Sequence, residues 1–293
     1  MNRKVKPKII VILGQTATGK SDFAVQIAKK IDGEIISADS RQVYKGMDLG
    51  TGKITKKEMR GVPHYLLDVT SPKKVFSVSD FKKLADKKIE DILARGKTPI
   101  ICGGTGFYID AVVDGVILPE VEPNEKLRST LSKKSVEKLF EMLKKLDKSR
   151  AKSIDKNNKV RLIRAIEIAK ALGKVPKVKS QSKYKVTKIG LTLPDEILKE
   201  KIKARLLARI KRGMLREIKK LHDSGVSWKR MEMLGLEYRY GAVYLQGKIT
   251  KQEMIEKLNT EIWHYAKRQK TWFKRDKNIT WLDPRKNRLS KYI

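Results

Sequence analysis

The sequence predicts an α/β fold: a parallel sheet flanked by helices, with a small helical insertion domain and a helical C-terminal segment. Three observations carry this. The apolar run Ile9-Ile10-Val11-Ile12-Leu13 leads into Gly14-Gln15-Thr16-Ala17-Thr18-Gly19-Lys20-Ser21, and Asp22 to Lys30 then has helical period. Further strand-like runs alternate with helical ones, the arrangement that gives parallel strands and crossover helices. The octet fits the phosphate-loop pattern G-x-x-x-x-G-K-S/T in the strand-to-helix context that it requires. The expected sheet is therefore P-loop NTPase-like.

The first strand reads as buried on both faces, because five apolar residues follow one another without alternation. In the loop after it, Gly14 and Gly19 allow amides to turn inward on an anion, and the helix N-terminus adds partial positive charge. Gln15, Thr16, Ala17 and Thr18 complete the cradle. Lys20 supplies a charge for phosphate oxygens, and Ser21 a hydroxyl for magnesium, the one cofactor expected.

Gly33 to Gln42 reads as a second strand whose carboxyl end delivers Asp39, facing the phosphate loop as ligand-binding residues of open α/β sheets do. Val43 to Lys57 has no helical period and reads as a loop. Pro63 to Val69 reads as a strand and Phe76 to Ala94 as a helix, with Ser79 and Asp80 as cap candidates. Thr98 to Cys102 is a strand running into Gly103-Gly104-Thr105-Gly106. Phosphate-loop hydrolases place a magnesium-ordering Asp at such a strand end; two glycines stand here instead, which argues against ordinary nucleotide hydrolysis.

Composition changes at Pro119-Glu120-Val121-Glu122-Pro123, and the sequence from Asn124 to about Lys188 is helical and Lys-rich, closed by a basic tract from Lys177 to Lys185. Residues 1–118 are therefore read as the first part of the core and 119–188 as the helical insertion. Residues 189–293 complete the core, with a strand at Ile189 to Leu193 and helices over Pro194 to His222, Tyr238 to Tyr244 and Lys251 to Phe273.

The chain has 293 residues and 68 Lys+Arg against 33 Asp+Glu, a formal net charge of +35. Self-repulsion of that size opposes compaction unless a polyanion absorbs it, so nucleic acid is the leading partner. A single cysteine, Cys102, excludes an internal disulfide and a cysteine-based zinc site. No stretch has the length of a membrane span or a signal-peptide core, so a cytoplasmic protein is expected.

Five blocks occur in order: Gly14-x-Thr16-Ala17-x-Gly19-Lys20-Ser21; Ile36-Ser37-Ala38-Asp39-Ser40-Arg41-Gln42-Val43-Tyr44-Lys45-Gly46-Met47-Asp48; Gly103-Gly104-Thr105-Gly106-x-Tyr108; Arg161-Leu162-Ile163-Arg164-Ala165-Ile166-Glu167; and Lys267-Arg268-Gln269-x-Thr271-Trp272-Phe273. With them the chain resembles the bacterial tRNA dimethylallyltransferase, or tRNA isopentenyltransferase, family from about Ile9 to Trp281. The second and last blocks are the specific ones.

The resemblance implies transfer of a dimethylallyl group from its diphosphate to N6 of adenosine 37 in tRNA, by a monomer. It makes Asp39 the base on N6, places Thr16 at the reacting centre and sets Arg205 on the diphosphate. It assigns tRNA contact to Asp39, Ser40, Arg41, Gln42, Thr105, Arg128 and the stretch Val160, Arg161, Leu162, Ile163 and Arg164. The segment Trp263 to Arg275 interleaves aromatic residues with Lys267 and Arg268 on a helix, and its basic side reads as meeting phosphates or as a solvated charged face. Leu162 and Ile163 also read as core positions, and Arg205 as a plain solvated charge. Part of the chemistry stands without the resemblance. A leaving diphosphate needs the same amides, lysine and magnesium as a nucleotide, and an exocyclic amine of adenine needs a carboxylate beside it. The alternatives are a small-molecule kinase resting on the loop alone and an adenylate prenyltransferase.

Overall fold

A computed structural model describes residues 6–176 and 180–286; part of the basic tract that begins at Lys177 lies outside them. The elements run β1 (Lys8–Gly14), α1 (Lys20–Lys30), β2 (Gly33–Ser37), α2 (Lys56–Met59), β3 (His64–Tyr65), α3 (Val78–Ala94), β4 (Thr98–Gly103) and α4 (Gly106–Val113). Then come α5 (Glu125–Ser132), α6 (Val136–Leu146), α7 (Lys148–Ser153), α8 (Lys159–Leu172), β5 (Lys185–Leu191), α9 (Asp195–Lys211) and α10 (Met214–Asp223). The last are α11 (Trp228–Leu234), α12 (Leu236–Leu245), α13 (Lys251–Phe273) and β6 (Ile279–Leu282).

The strands form one sheet in the order β3-β2-β4-β1-β5-β6, every pairing parallel. Strand β1 lies between β4 and β5, and its side chains divide with the period of two that a strand imposes. Ile9, Val11 and Leu13 pack with Phe81, Ile89 and Ile92 of α3 and Tyr108 of α4. Ile10 and Ile12 pack with Phe23, Ala24 and Ile27 of α1 on the other face. Two covered faces are why the run is apolar throughout. The carboxyl ends of β1, β2 and β4 thereby share one edge.

The chain divides into two compact units, Met1–Gly115 with Ser182–Ile293, and Val116–Gln181. The second unit is built on Leu131, Leu139, Leu143, Leu162 and Ile166.

Several elements differ from expectation. The strand expected over Pro63 to Val69 is only His64–Tyr65, because Leu66 (φ 61°) and Asp68 (φ 55°) are left-handed and end the extension. Ser77, not Ser79, caps α3, closing a capping box with Asp80. Strand β5 starts at Lys185 rather than Ile189, and the long helix from Pro194 is broken at Gly213 (φ 105°) into α9 and α10. Helix α4 and strand β6 carry no clear period: α4 is apolar nearly all round and β6 is four residues long.

Candidate active site

Strand β1 ends at Gly14, whose φ of 138° and position 2.3 Å from the Leu191 carbonyl, measured to where a Cβ would stand, leave room only for hydrogen. The loop then passes through a left-handed Ala17 (φ 61°) and Gly19 (φ 86°), the latter at the N-cap of α1. A left-handed alanine costs about 1–3 kcal/mol and is retained where the surrounding structure enforces it. Here the enforcing contacts come from far along the chain. The Thr16 amide donates to Gln269 Oε1 at 2.7 Å, and Gln15 Nε2 donates to the Ala266 carbonyl at 3.3 Å. Thr18 Oγ1 donates to the Gln15 carbonyl at 2.8 Å.

Around this loop lies a cavity of about 600 Å³ lined by Thr16, Lys20, Ser21, Asp39, Arg205 and Tyr265, among others. Lys20 Nζ donates to the Gln15 carbonyl at 2.5 Å. Burial removes its hydration and, with Arg205 nearby, brings its pKa down to about 8 although Asp39 opposes the shift. Arg205, on α9, donates to Thr16 Oγ1 at 3.3 Å and to the Gly52 carbonyl at 3.4 Å. Burial first, then the charge of Arg209, lowers its pKa to about 10. Among the described residues neither Lys20 nor Arg205 forms an ion pair. Arg205 is therefore not the solvated charge that the sequence also allowed.

Asp39 follows β2. Its Oδ1 accepts from the amides of Arg41 (2.8 Å) and Gln42 (3.4 Å), closing the turn. Its Oδ2 has no hydrogen-bond partner among the described residues, although Asp39 lines the cavity. One oxygen holds the turn and the other is available for chemistry. Ser40 is tied to the end of β4, its amide donating to Thr105 Oγ1 at 3.0 Å. Gln42 is engaged internally: its Oε1 accepts from Ser37 Oγ at 3.1 Å and its Nε2 donates to the Gly52 carbonyl at 3.4 Å. His64 touches the cavity, but its Nδ1 lies 2.8 Å from the Val62 carbonyl and burial lowers its pKa.

Residues unmarked in the sequence reading hold these groups in place. Glu217 accepts from the amides of Asp48 (3.0 Å), Leu49 (2.7 Å) and Gly50 (3.0 Å) and from Tyr238 Oη (2.7 Å), which shapes the loop carrying Gly52. Arg209 donates to the Gly50 carbonyl and to Glu237 Oε1 at 3.2 Å. The Lys-Arg-Gln block was the only signal for Gln269, and nothing local marks Glu217.

Lys267 and Arg268 are exposed on α13, where Lys267 lies 5.7 Å from the Trp263 ring. Arg275, past the end of α13, stacks on Trp272 at 3.8 Å.

In the second unit Val160 and Arg161 are exposed at the start of α8. Leu162 is fully buried and Ile163 packs on the same cluster, so as side chains they belong to the core rather than to a tRNA contact. Arg128 and Arg164 both bond Glu167, the former through Nε and Nη2 at 2.9 Å each. Burial alone would raise the Glu167 pKa; the hydrogen bonds from Arg128, the Asn124 amide and Arg164 hold it at about 2.

Fold and cavity define a phosphate-loop protein with unpaired cations beside a carboxylate. The model of the family described as IPP transferase matches residues 42–276. The tRNA dimethylallyltransferase 2 of Treponema denticola is 45% identical over 94% of this chain and 96% of its own. The tRNA dimethylallyltransferase of Halalkalibacterium halodurans is 40% identical over 95% and 92%. Among solved structures, the full-length tRNA isopentenylpyrophosphate transferase of Bacillus halodurans superposes with a TM-score of 0.73 at 40% identity, covering 94% of this chain and 90% of that one. A eukaryotic dimethylallyltransferase acting on tRNA reaches a TM-score of 0.81 at 28% identity, over 94% and 73%. The chain belongs to the IPP transferase family.

Proposed function

We propose that this protein transfers a dimethylallyl group from dimethylallyl diphosphate to N6 of adenosine 37 in tRNA. The single observation that carries the mechanism is the placement of the free Asp39 Oδ2 in the same cavity as the unpaired Lys20 and Arg205. An adenine in an anticodon loop must leave its stack to reach such a cavity. N6 attacks the C1 carbon of the allylic group as the C–O bond breaks. The bonding pair leaves with the diphosphate, and the N6 proton passes to Asp39 Oδ2. Charge growing on the bridging oxygen is met by Thr16 Oγ1, oriented by Arg205, while Lys20 and the amides at the start of α1 hold the outer oxygens.

Magnesium fits the residues present. The Ser21 hydroxyl and the Asp39 carboxylate, both hard oxygen donors, line the cavity. No cluster of three or more acidic, His or Cys ligands occurs among the described residues, as suits a cation held chiefly by the substrate's phosphates. Bound there, it would neutralise diphosphate oxygens.

The tRNA contact is assigned to Asp39, Ser40, Arg41 and Thr105 beside the cavity, to Lys267 and Arg268 on α13, and to Val160 and Arg161 of the helical unit. No helix among the described residues is long and apolar enough to cross a membrane. The family resemblance favours a monomer, and the cytoplasm is the proposed compartment.

The test is incubation with dimethylallyl diphosphate and anticodon stem-loops with and without adenosine 37, followed by nucleoside mass analysis. A mass gain confined to stem-loops with adenosine 37 is expected. Phosphate transfer from ATP to small acceptors in its place would support the kinase alternative.

A further inference from the structure

We infer that Gln269 is a positioning residue that sets the spacing between the leaving-group cradle and the base, a role that rests on the reading above. Its side chain is 6% exposed, and both ends of its amide are used. Oε1 accepts from the Thr16 amide at 2.7 Å and Nε2 donates to the Gly104 carbonyl at 2.9 Å. These partners follow two neighbouring strands, β1 and β4, which pair at Leu13 and Gly103. Thr16 belongs to the phosphate loop and carries the hydroxyl that Arg205 orients. Gly104 begins the turn whose Thr105 amide donates to the Ala38 carbonyl at 3.2 Å and whose Thr105 Oγ1 accepts from the Ser40 amide. Asp39 lies between Ala38 and Ser40. One primary amide thus connects the loop that cradles the breaking C–O bond to the turn that is bonded on both sides of the proton acceptor.

The neighbourhood is shaped to that amide. A Cβ on Gly104 would stand 2.3 Å from Gln269 Nε2, so the glycine permits the approach. Gln15 donates to the carbonyl of Ala266, one turn earlier on α13, giving the helix a second hold on the loop. The Thr16 amide is committed to Gln269. Its bond serves geometry rather than phosphate binding. In-line displacement depends steeply on such geometry: a misplacement of about 1 Å costs on the order of 10²-fold in rate.

The role requires one acceptor and one donor on a single planar group. Gln269→Met keeps length and apolar volume and removes both; Gln269→Glu keeps the acceptor and, when ionised, sets a carboxylate against the Gly104 carbonyl. Protonated, Glu regains an O–H donor and matches Gln.

The experiment measures prenyl transfer to the stem-loop by both variants and wild type from pH 5.5 to 8, with amide hydrogen exchange of the unliganded proteins alongside. Gln269→Met is expected to lose about a hundredfold in kcat with KM for the stem-loop unchanged, and to lose protection at the Thr16 and Thr105 amides. The ratio of Gln269→Glu to wild-type rates is expected to rise as pH falls, as the introduced carboxyl takes up its proton. A pH-flat ratio, a Met variant with wild-type kcat, or unchanged exchange at both amides overturns the inference. Wild-type protein that transfers no prenyl group overturns the functional reading instead, and the exchange measurement still decides whether Gln269 joins the two segments.

Discussion

Two groups of buried charge in this molecule are built on opposite plans. In the helical unit Glu167 lies buried against Arg128 and Arg164, and both guanidinium groups are paired with its one carboxylate. In the cavity Lys20 and Arg205 are half-buried with no carboxylate partner among the described residues, and desolvation pushes both toward their neutral forms. A paired charge spends its electrostatics on the fold. An unpaired cation in a cleft has its electrostatics available for an anion, and strongly shifted groups of this kind concentrate at functional sites. Arg205, read from the sequence as a diphosphate contact, has no ion-pair partner among the described residues, whereas Arg128 and Arg164, read as tRNA contacts, are bonded to Glu167.

The contrast can be broken most forcefully at the carboxylate beside the cations. Asp39→Ala is expected to reduce turnover by about 10²- to 10⁴-fold with tRNA affinity nearly intact, measured by single-turnover transfer and by equilibrium binding. Normal turnover would remove the base from the site.

Lys20→Ala is expected to weaken diphosphate binding by roughly ten- to a hundredfold, the worth of a charged hydrogen bond of about 1.5–3 kcal/mol. In the wild type, the lysine is cationic below its pKa of about 8 and neutral above it. Affinity should therefore fall as pH rises through 8, approaching about tenfold per unit for one linked proton. Calorimetric titration between pH 7 and 9.5 checks this, and Lys20→Arg should flatten the profile.

Glu167→Gln should act on stability instead, by about 1–3 kcal/mol at neutral pH, because two guanidinium groups lose their charged acceptor. The folded pKa of Glu167 is depressed, so its contribution is complete above the ordinary value of 4.5 and disappears as pH falls toward about 2. Denaturant unfolding of both proteins should show a difference that is constant above pH 5 and shrinks below it. Unchanged tRNA affinity would confirm that Arg128 and Arg164 are committed to packing.

The smallest effect is expected at Arg161, which is exposed on α8. Replacing it with Ala should reduce the slope of log affinity against log salt by less than about one, as for a single phosphate contact. A slope that does not move would take Arg161 out of the tRNA contact.

Much of the fold was legible because its signals are local. The run from Ile9 to Ser21 names strand, loop and helix within 13 consecutive positions of the sequence. Asp39 could be placed because ligands collect at the carboxyl ends of parallel strands. Strand β3 misled because an apolar run does not announce that Leu66 and Asp68 turn left-handed. Leu162 was ambiguous for another reason: its motif and its core role occupy the same helix, and only burial separates them.

The sequence alone determined the phosphate loop, the parallel sheet behind it and the carboxylate at the end of β2, since each depends on residues adjacent in the chain. Tertiary structure decided which charges remain unpaired and what ties the segments around the cavity together. Gln269 reaches Thr16 across 253 positions and Gly104 across 165, and Glu217 reaches Gly50 across 167. A hydrogen bond is satisfied by proximity in space, and at such separations no local pattern records its partner.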